Sequence, residues 1–254
     1  MKRLLRPVQA NFSLLANDAS EIIRRKMDAA PGLFRTQPKK KARNYAAKVI
    51  GSCAIVVIAA VFVLHYVFRY YLHYNEAAFT DPIRGAANYW HMRGWLLMHM
   101  TGGMLALLTG PWQFWTGFRA RYARLHRWTG RIFLCGVAIG CLGAAKMAVA
   151  TTFGWAFGFG LMMLAVAWVV TTSMAYYAIL KRRIEIHREW MARAYVVTFA
   201  FVTFRVLNDY YPGPRLQPDG DRIVTLAWAS WVIPLLVLEV VLQLRRIRPA
   251  VTSR

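Results

Sequence analysis

The chain has 254 residues, of which 57% are hydrophobic, with a mean hydropathy of +0.32 and a formal net charge of +22. Its charges gather in blocks between long apolar runs, which excludes an ordinary soluble domain and points to a polytopic membrane protein. The positive excess follows that alternation, so no nucleic-acid partner is needed to account for it.

Residues 1–47 form a basic tail. Within it, Phe12, Leu14, Leu15, Ile22 and Ile23 oppose Asp18, Glu21 and Arg25, which fits either a surface-lying amphipathic helix or plain disorder over 11–27. Lys39, Lys40, Lys41 and Arg43 adjoin the first apolar run, where each cation is worth about 1 kcal/mol of attraction to an anionic leaflet. The partner expected there is anionic lipid at the cytoplasmic face. The first long apolar run begins only near Val49, so the tail carries no signal-peptide core and is expected to stay attached.

Six stretches then approach the roughly 20 apolar residues that a hydrocarbon core about 30 Å thick requires. They are 49–72, 94–117, 131–152, 154–180, 190–210 and 222–244. None alternates with period two, so a barrel is not expected. The reading is an all-α bundle of six transmembrane helices over 48–245, followed by a basic tail over 246–254. Of the 33 Lys and Arg residues, 26 fall in 1–48, 118–131, 181–193 and 245–254. The excess of cations in cytoplasmic loops therefore places both termini in the cytoplasm of a bacterial inner membrane.

Small residues suggest how the spans pack. Gly136 and Gly140 share GxxxG spacing on the third span, with Ala144 beyond, and Gly154 and Gly158 repeat the spacing on the fourth; these two spans are expected to form a tight antiparallel pair at the outer end. Pro111 and Pro234 each free a backbone carbonyl and predict a kink. Trp90, Trp95, Trp155 and Trp228 mark one interface and Trp112, Trp115, Trp128 and Trp190 the other. Trp128 and Trp190 also stand where they could cover a planar ligand. Cys53, Cys135 and Cys141 all lie in spans without a CxxC pair, which supports neither zinc nor a disulfide framework.

A histidine-arginine motif occurs twice, as Leu125-His126-Arg127-Trp128-Thr129-Gly130-Arg131 and as Ile186-His187-Arg188-Glu189-Trp190-Met191-Ala192-Arg193. The offset of about 61 residues predicts a parallel repeat relating helices two and three to helices four and five. Each copy is followed, about 20 residues on, by a lone cation inside a span, Lys146 and then Arg205. Neutral imidazoles from two helices are the usual axial ligands of a b-type haem. His65 with His99 near the outer face, and His126 with His187 near the inner face, are the candidate pairs. Two readings stand for each: His126 and His187 as haem ligands or as wetted residues touching lipid phosphate, and His99 as a ligand or as a histidine bonded to a neighbouring helix. Gly102 and Gly103 lie one turn from His99 and leave room for a macrocycle. His73 and His91 are expected in water.

Charges at membrane depth are costly and usually functional. Lys146, Arg205 and Arg69 are expected to face the bundle interior or to snorkel outward. An interior cluster of Lys146 and Arg205 implies an anion, whether haem propionates, a carboxylate substrate, or Asp209, Asp219 and Asp221. Glu239, the one acid inside a span, is expected to pair with a motif arginine such as Arg127 or Arg188.

At these residues the chain resembles an uncharacterised family of bacterial multi-pass membrane proteins known only as a domain of unknown function. The likeness covers roughly 60–210 through His99, the segment Gly110-Pro111-Trp112-Gln113-Phe114, the first histidine motif, and His187-Arg188 with Met191 and Arg193. It implies a fold and a location. The segment His126 to Arg131 is also similar to the start of a haem-carrying helix in ferric reductases and related b-type cytochromes, which implies haem. Two functions follow as expectations. One is a haem-b-binding redox protein exchanging electrons with a quinone or another redox partner; the other is a non-enzymatic membrane protein that binds lipid or an anionic small molecule.

Overall fold

The structure, a computed structural model, describes residues 18, 20, 21, 24, 25, 37–81, 87–115, 121–210 and 219–247. The expectations for the 11–27 helix, for the side chains of Lys39–Lys41, Arg43, Arg69 and Asp219, and for the C-terminal tail lie outside the described residues. The chain divides into two units, 1–51 and 52–254. In the first, Glu21 and Arg25 pair one helical turn apart at 3.6 Å.

The described residues are almost wholly helical, as an apolar chain must be where no water can satisfy its backbone. Helix α1 (Gln37–Phe62) passes through a π-helical turn, Val63–Val67, into α2 (Phe68–Leu72). A short α3 (Glu76–Phe79) leads into two paired two-residue strands, β1 (Thr80–Asp81) and β2 (Ala87–Asn88). The longer helices are α4 (Arg93–Phe114), α5 (Ala123–Val149), α6 (Trp155–Leu180), α7 (Ile184–Thr198), α8 (Ala200–Tyr210) and α9 (Asp219–Ile247).

Five segments are long and apolar enough to cross a membrane: Ile50–Leu72, Ala123–Val149, Trp155–Leu180, Ile184–Asp209 and Asp221–Ile247. Six were expected from the sequence. Helix α4 has the length, 22 residues, but His99, Thr101, Gly102, Gly103, Thr109, Gly110 and Pro111 dilute its hydropathy. Those residues serve contacts within the bundle. A Cβ added at Gly102 would lie 2.3 Å from the Gly140 nitrogen and 2.5 Å from the Gly136 carbonyl oxygen, and one at Gly143 would lie 2.5 Å from the Trp95 carbonyl oxygen. On α5, Gly136 and Gly143 therefore pack on α4, while a Cβ added at Gly140 would meet the Trp168 ring of α6 at 3.1 Å and the Gly103 nitrogen of α4 at 3.3 Å. At its far end α5 does meet α6: Gly158 admits the Ala148 carbonyl, and a Cβ there would come within 2.4 Å of it. Close backbone approach of this kind drives helix association in lipid, which offers no hydrophobic gain.

The core joins Ala106, Phe133, Val137, Leu164, Trp168, Ala194, Tyr195 and Ala200 across α4 to α8, with Trp231 and Leu235 of α9 against it. A second cluster, Ala59, Val63, Val67, Leu107 and Val202, ties the first helix to α4 and α8. Phe79 is buried beneath Tyr70, Tyr74 and Trp90, and Arg93 lies over the Trp90 ring at 4.5 Å, closing one end of the bundle with aromatic rings. His73 and His91 beside this cluster are exposed, as expected.

Candidate functional site: an intramembrane cavity

The two histidine-arginine motifs and the Gly110–Phe114 segment lie at one end of the bundle and hold helices together. Pro111 has no N–H, so the carbonyl of Leu107 one turn earlier loses its helical donor. The Tyr195 hydroxyl donates to that carbonyl at 3.1 Å, and the missing side chain of Gly110 makes room, since a Cβ there would sit 2.1 Å from the Tyr195 ring. Gln113 donates through Nε2 to Thr129 Oγ1 at 2.7 Å, joining the Gly110–Phe114 segment to the first histidine motif. In the second motif Arg193, only 8% exposed, donates through Nε and Nη2 to the two carboxylate oxygens of Glu239. Glu189 lies 3.8 Å from Arg193 and accepts from Arg246. Glu239 therefore pairs with a motif arginine, as expected, but the one it takes is Arg193, because the antiparallel course of α9 brings it beside α7; Arg188 bonds Glu185 at 2.8 Å. Trp190 lies under Arg193 at 4.7 Å and exposed Trp128 under Arg131 at 5.1 Å.

The two motif histidines occupy equivalent places. Each is the fourth residue of its helix and donates its backbone N–H one turn back, His126 to Tyr122 at 3.0 Å and His187 to Arg183 at 2.9 Å. The His187 ring is committed through Nδ1 to the Ala175 carbonyl at 2.8 Å.

At the opposite end a cavity of about 190 Å³ opens between the first helix, α4, α5, α6, α7 and α8. Its wall is largely apolar, with Met100, Met104 and Met147 and the rings of Phe62, Phe157 and Phe201. Two backbone irregularities border it. The π-helical turn Val63–Val67 adds a residue to one turn of the first helix and brings Val63, Tyr66 and Val67 to the wall. Such turns are frequent at functional sites. The second is the break at Phe199 between α7 and α8, flanked by the lining residues Thr198 and Phe201. Gly103 also lines the cavity, and a Cβ added there would meet nothing within 4 Å. The adjacent glycines thus differ: Gly102 brings α4 against α5, while Gly103 leaves open space.

Most polar groups at the wall are satisfied by the protein. Trp168 donates through Nε1 to Thr198 Oγ1 at 2.8 Å, and Thr198 donates in turn to the Ala194 carbonyl at 2.7 Å. The Tyr66 hydroxyl donates to Asp209 Oδ2 at 2.5 Å. His99 donates through Nδ1 to the Gly140 carbonyl of the neighbouring helix at 2.9 Å; its other nitrogen, Nε2, has no bond among the described residues. Its ring meets Phe201 edge-on at 5.0 Å. Arg205 lies one turn beyond Phe201, on the same helical face. Its guanidinium stands 5.7 Å from the Tyr66 ring, and among the described residues no carboxylate lies within 4 Å of it.

Of the six residues singled out in the sequence, the cavity brings two together, His99 and Arg205. His65 is exposed, with its ring against that of Tyr66, and is not among the lining residues. Lys146 is exposed although its neighbours on α5, Ala144 and Met147, line the wall. His126 and His187 lie at the far end. The lining aromatics, the methionines and the π-helical turn carried no sequence signal, because apolar residues in a span read alike whether they face lipid or a cavity. Among the described residues no group of three or more His, Cys, Asp or Glu is placed to hold a metal ion.

Residues 96–242, more than half of the chain, match the model of a family described as Predicted membrane protein (DUF2306). No curated protein matches the chain, and no solved structure matches it.

Proposed function

The chain belongs to the Predicted membrane protein (DUF2306) family, and we propose that it binds a small amphipathic molecule inside the membrane, with the polar end held by Arg205 and the apolar body in the cavity. The observation that carries this reading is Arg205 itself, a half-buried cation at an apolar cavity with no carboxylate partner among the described residues. An ionisable group at membrane depth is expensive unless something balances it. A largely apolar pocket with a few convergent polar groups is what a small-ligand site requires. The protein acts here as a binding or carrier protein, with no chemical step assigned to it.

The size of the cavity narrows the guest. An apolar cavity of about 150 Å³ already takes a benzene ring. The 190 Å³ available suits one ring or a bent stretch of a single acyl chain. Haem b in a redox protein is the second reading, and one observation favours it: the Gly140 carbonyl fixes His99 with Nε2 bare, as the outer partner of a metal-ligating histidine does. The volume, and the place of His65 outside the wall, favour the single-chain guest. A Soret band in the purified protein would carry the haem reading instead.

The same proposal includes six spans, with both termini in the cytoplasm of a bacterial inner membrane. Five crossings would put the tails on opposite faces, whereas the basic residues of 1–48 and 245–254 call for the same face. Support for α4 as the sixth is its course along a spanning helix, from Trp95 against Gly143 to Gln113 against Thr129. The matched placement of His126 and His187 supports the repeat. Exposed Lys181, Arg182 and Arg183, in the turn between α6 and α7, suit anionic headgroups at the cytoplasmic face.

Thermal unfolding with added dodecanoate tests the ligand reading. A guest at one hundred times its Kd stabilises by about 2.7 kcal/mol. Arg205→Leu should abolish that stabilisation without lowering the stability of the ligand-free protein. Stabilisation of equal size in Arg205→Leu and wild type would refute the assignment, and a reporter fused to the C-terminus signalling from the outer face would refute the six spans.

A further inference from the structure

We infer that the guest carries a hydroxyl group, donated to Nε2 of His99, in addition to the oxygen that Arg205 binds. The inference rests on the ligand reading above and adds the chemical class. A carbonyl oxygen only accepts hydrogen bonds, so the contact between His99 Nδ1 and the Gly140 carbonyl at 2.9 Å requires the proton to sit on Nδ1. In the neutral ring Nε2 then presents a bare lone pair, and His99 is part of the cavity wall. Thr198, Trp168 and Tyr66 spend their donors within the protein. Among the lining side chains, the donor fork of Arg205 and the acceptor at His99 thus present a guest with polar groups of opposite character.

Phe201 links the two along the cavity wall. His99 packs on Phe201, and Arg205 follows one turn along α8, a rise of about 6 Å. An amphiphile with an oxygen acceptor and a hydroxyl donor separated by a short apolar stretch satisfies both. A guest with acceptors alone would set an oxygen lone pair against that of Nε2. Two sources share this chemistry, a hydroxylated fatty carboxylate and a quinol. Their unsuitable counterparts are the unsubstituted carboxylate and the quinone.

The test is a matched comparison on the full chain in detergent or nanodiscs. Dodecanoate is compared with hydroxydodecanoates in which the hydroxyl is moved along the chain, and a short-chain ubiquinol with its quinone under anaerobic conditions. The hydroxyl-bearing member of one pair should bind about tenfold tighter, the effect of one buried hydrogen bond that its counterpart leaves unmade. The pair that discriminates identifies the source. His99→Phe should bring the ratio close to one, and His99→Gln, which keeps an acceptor and a donor, should restore part of it. Equal affinities within both pairs in wild type, or tighter binding of the hydroxyl-free members, overturns the inference. If those affinities still fall in Arg205→Leu, the ligand reading survives that result. Absence of binding by every probe overturns both.

Discussion

Replacing Tyr195 by Phe removes one oxygen atom and tests how the motif end of the bundle is built. The ring stays in the notch left by Gly110, so packing is preserved, but the Leu107 carbonyl loses the donor that stands in for the N–H missing at Pro111. Tyr195 is only 8% exposed, and water does not readily replace it. A buried acceptor left without a partner costs about 1–3 kcal/mol. With about 2–4 °C per kcal/mol for a domain of this size, the loss reads as a fall of several degrees in thermal unfolding. The double-mutant cycle sharpens the test. Pro111→Ala returns an N–H to the carbonyl, so Tyr195→Phe should cost much less in that background, a coupling that independent sites do not show. Additive effects would refute the compensation, as would a Tyr195→Phe protein as stable as wild type.

Other consequences follow from neighbouring residues. Gly103→Leu should fill the cavity and abolish binding of dodecanoate while leaving the ligand-free protein at least as stable, because the site is open and glycine costs a helix about 1 kcal/mol relative to better formers. Gly102→Leu, one residue away, should prevent folding, since even a Cβ would lie 2.3 Å from backbone; comparable behaviour of the two variants in expression and unfolding would show that the packing is misassigned. Arg193→Met should cost about 3 kcal/mol, the low end for breaking a buried ion pair because Glu239 keeps 37% side-chain exposure. The double change Arg193→Met with Glu239→Leu should recover most of that loss, and an equal loss in both proteins would remove the pair as a stabilising contact.

The class of fold was legible because bilayer thickness imposes a length on apolar runs and charge cannot enter them cheaply. Helix α4 shows where hydropathy runs out as a guide. Its glycines, threonines and proline serve the approach of α5 and the bond from Tyr195, and they lower its hydropathy for that reason. Arg205 and His99 were visible as charge and imidazole out of place. Their meeting in one cavity was not, since it depends on the rotation of each helix about its axis. The same limit explains Glu239, whose partner among the inner arginines is set by the facing of α7 and α9. Lys146 has the same standing in sequence as Arg205, yet it points away from the cavity between two neighbours that line it.

The most direct measurement is a native mass spectrum of the full chain released from its own membranes, set beside that of Arg205→Leu prepared in parallel. A ligand at the cavity predicts a small-molecule adduct of one mass on the wild type, displaced by dodecanoate and missing from Arg205→Leu, with both proteins folded. A wild-type protein free of any adduct and unchanged by dodecanoate, or an adduct retained in full by Arg205→Leu, would contradict the account.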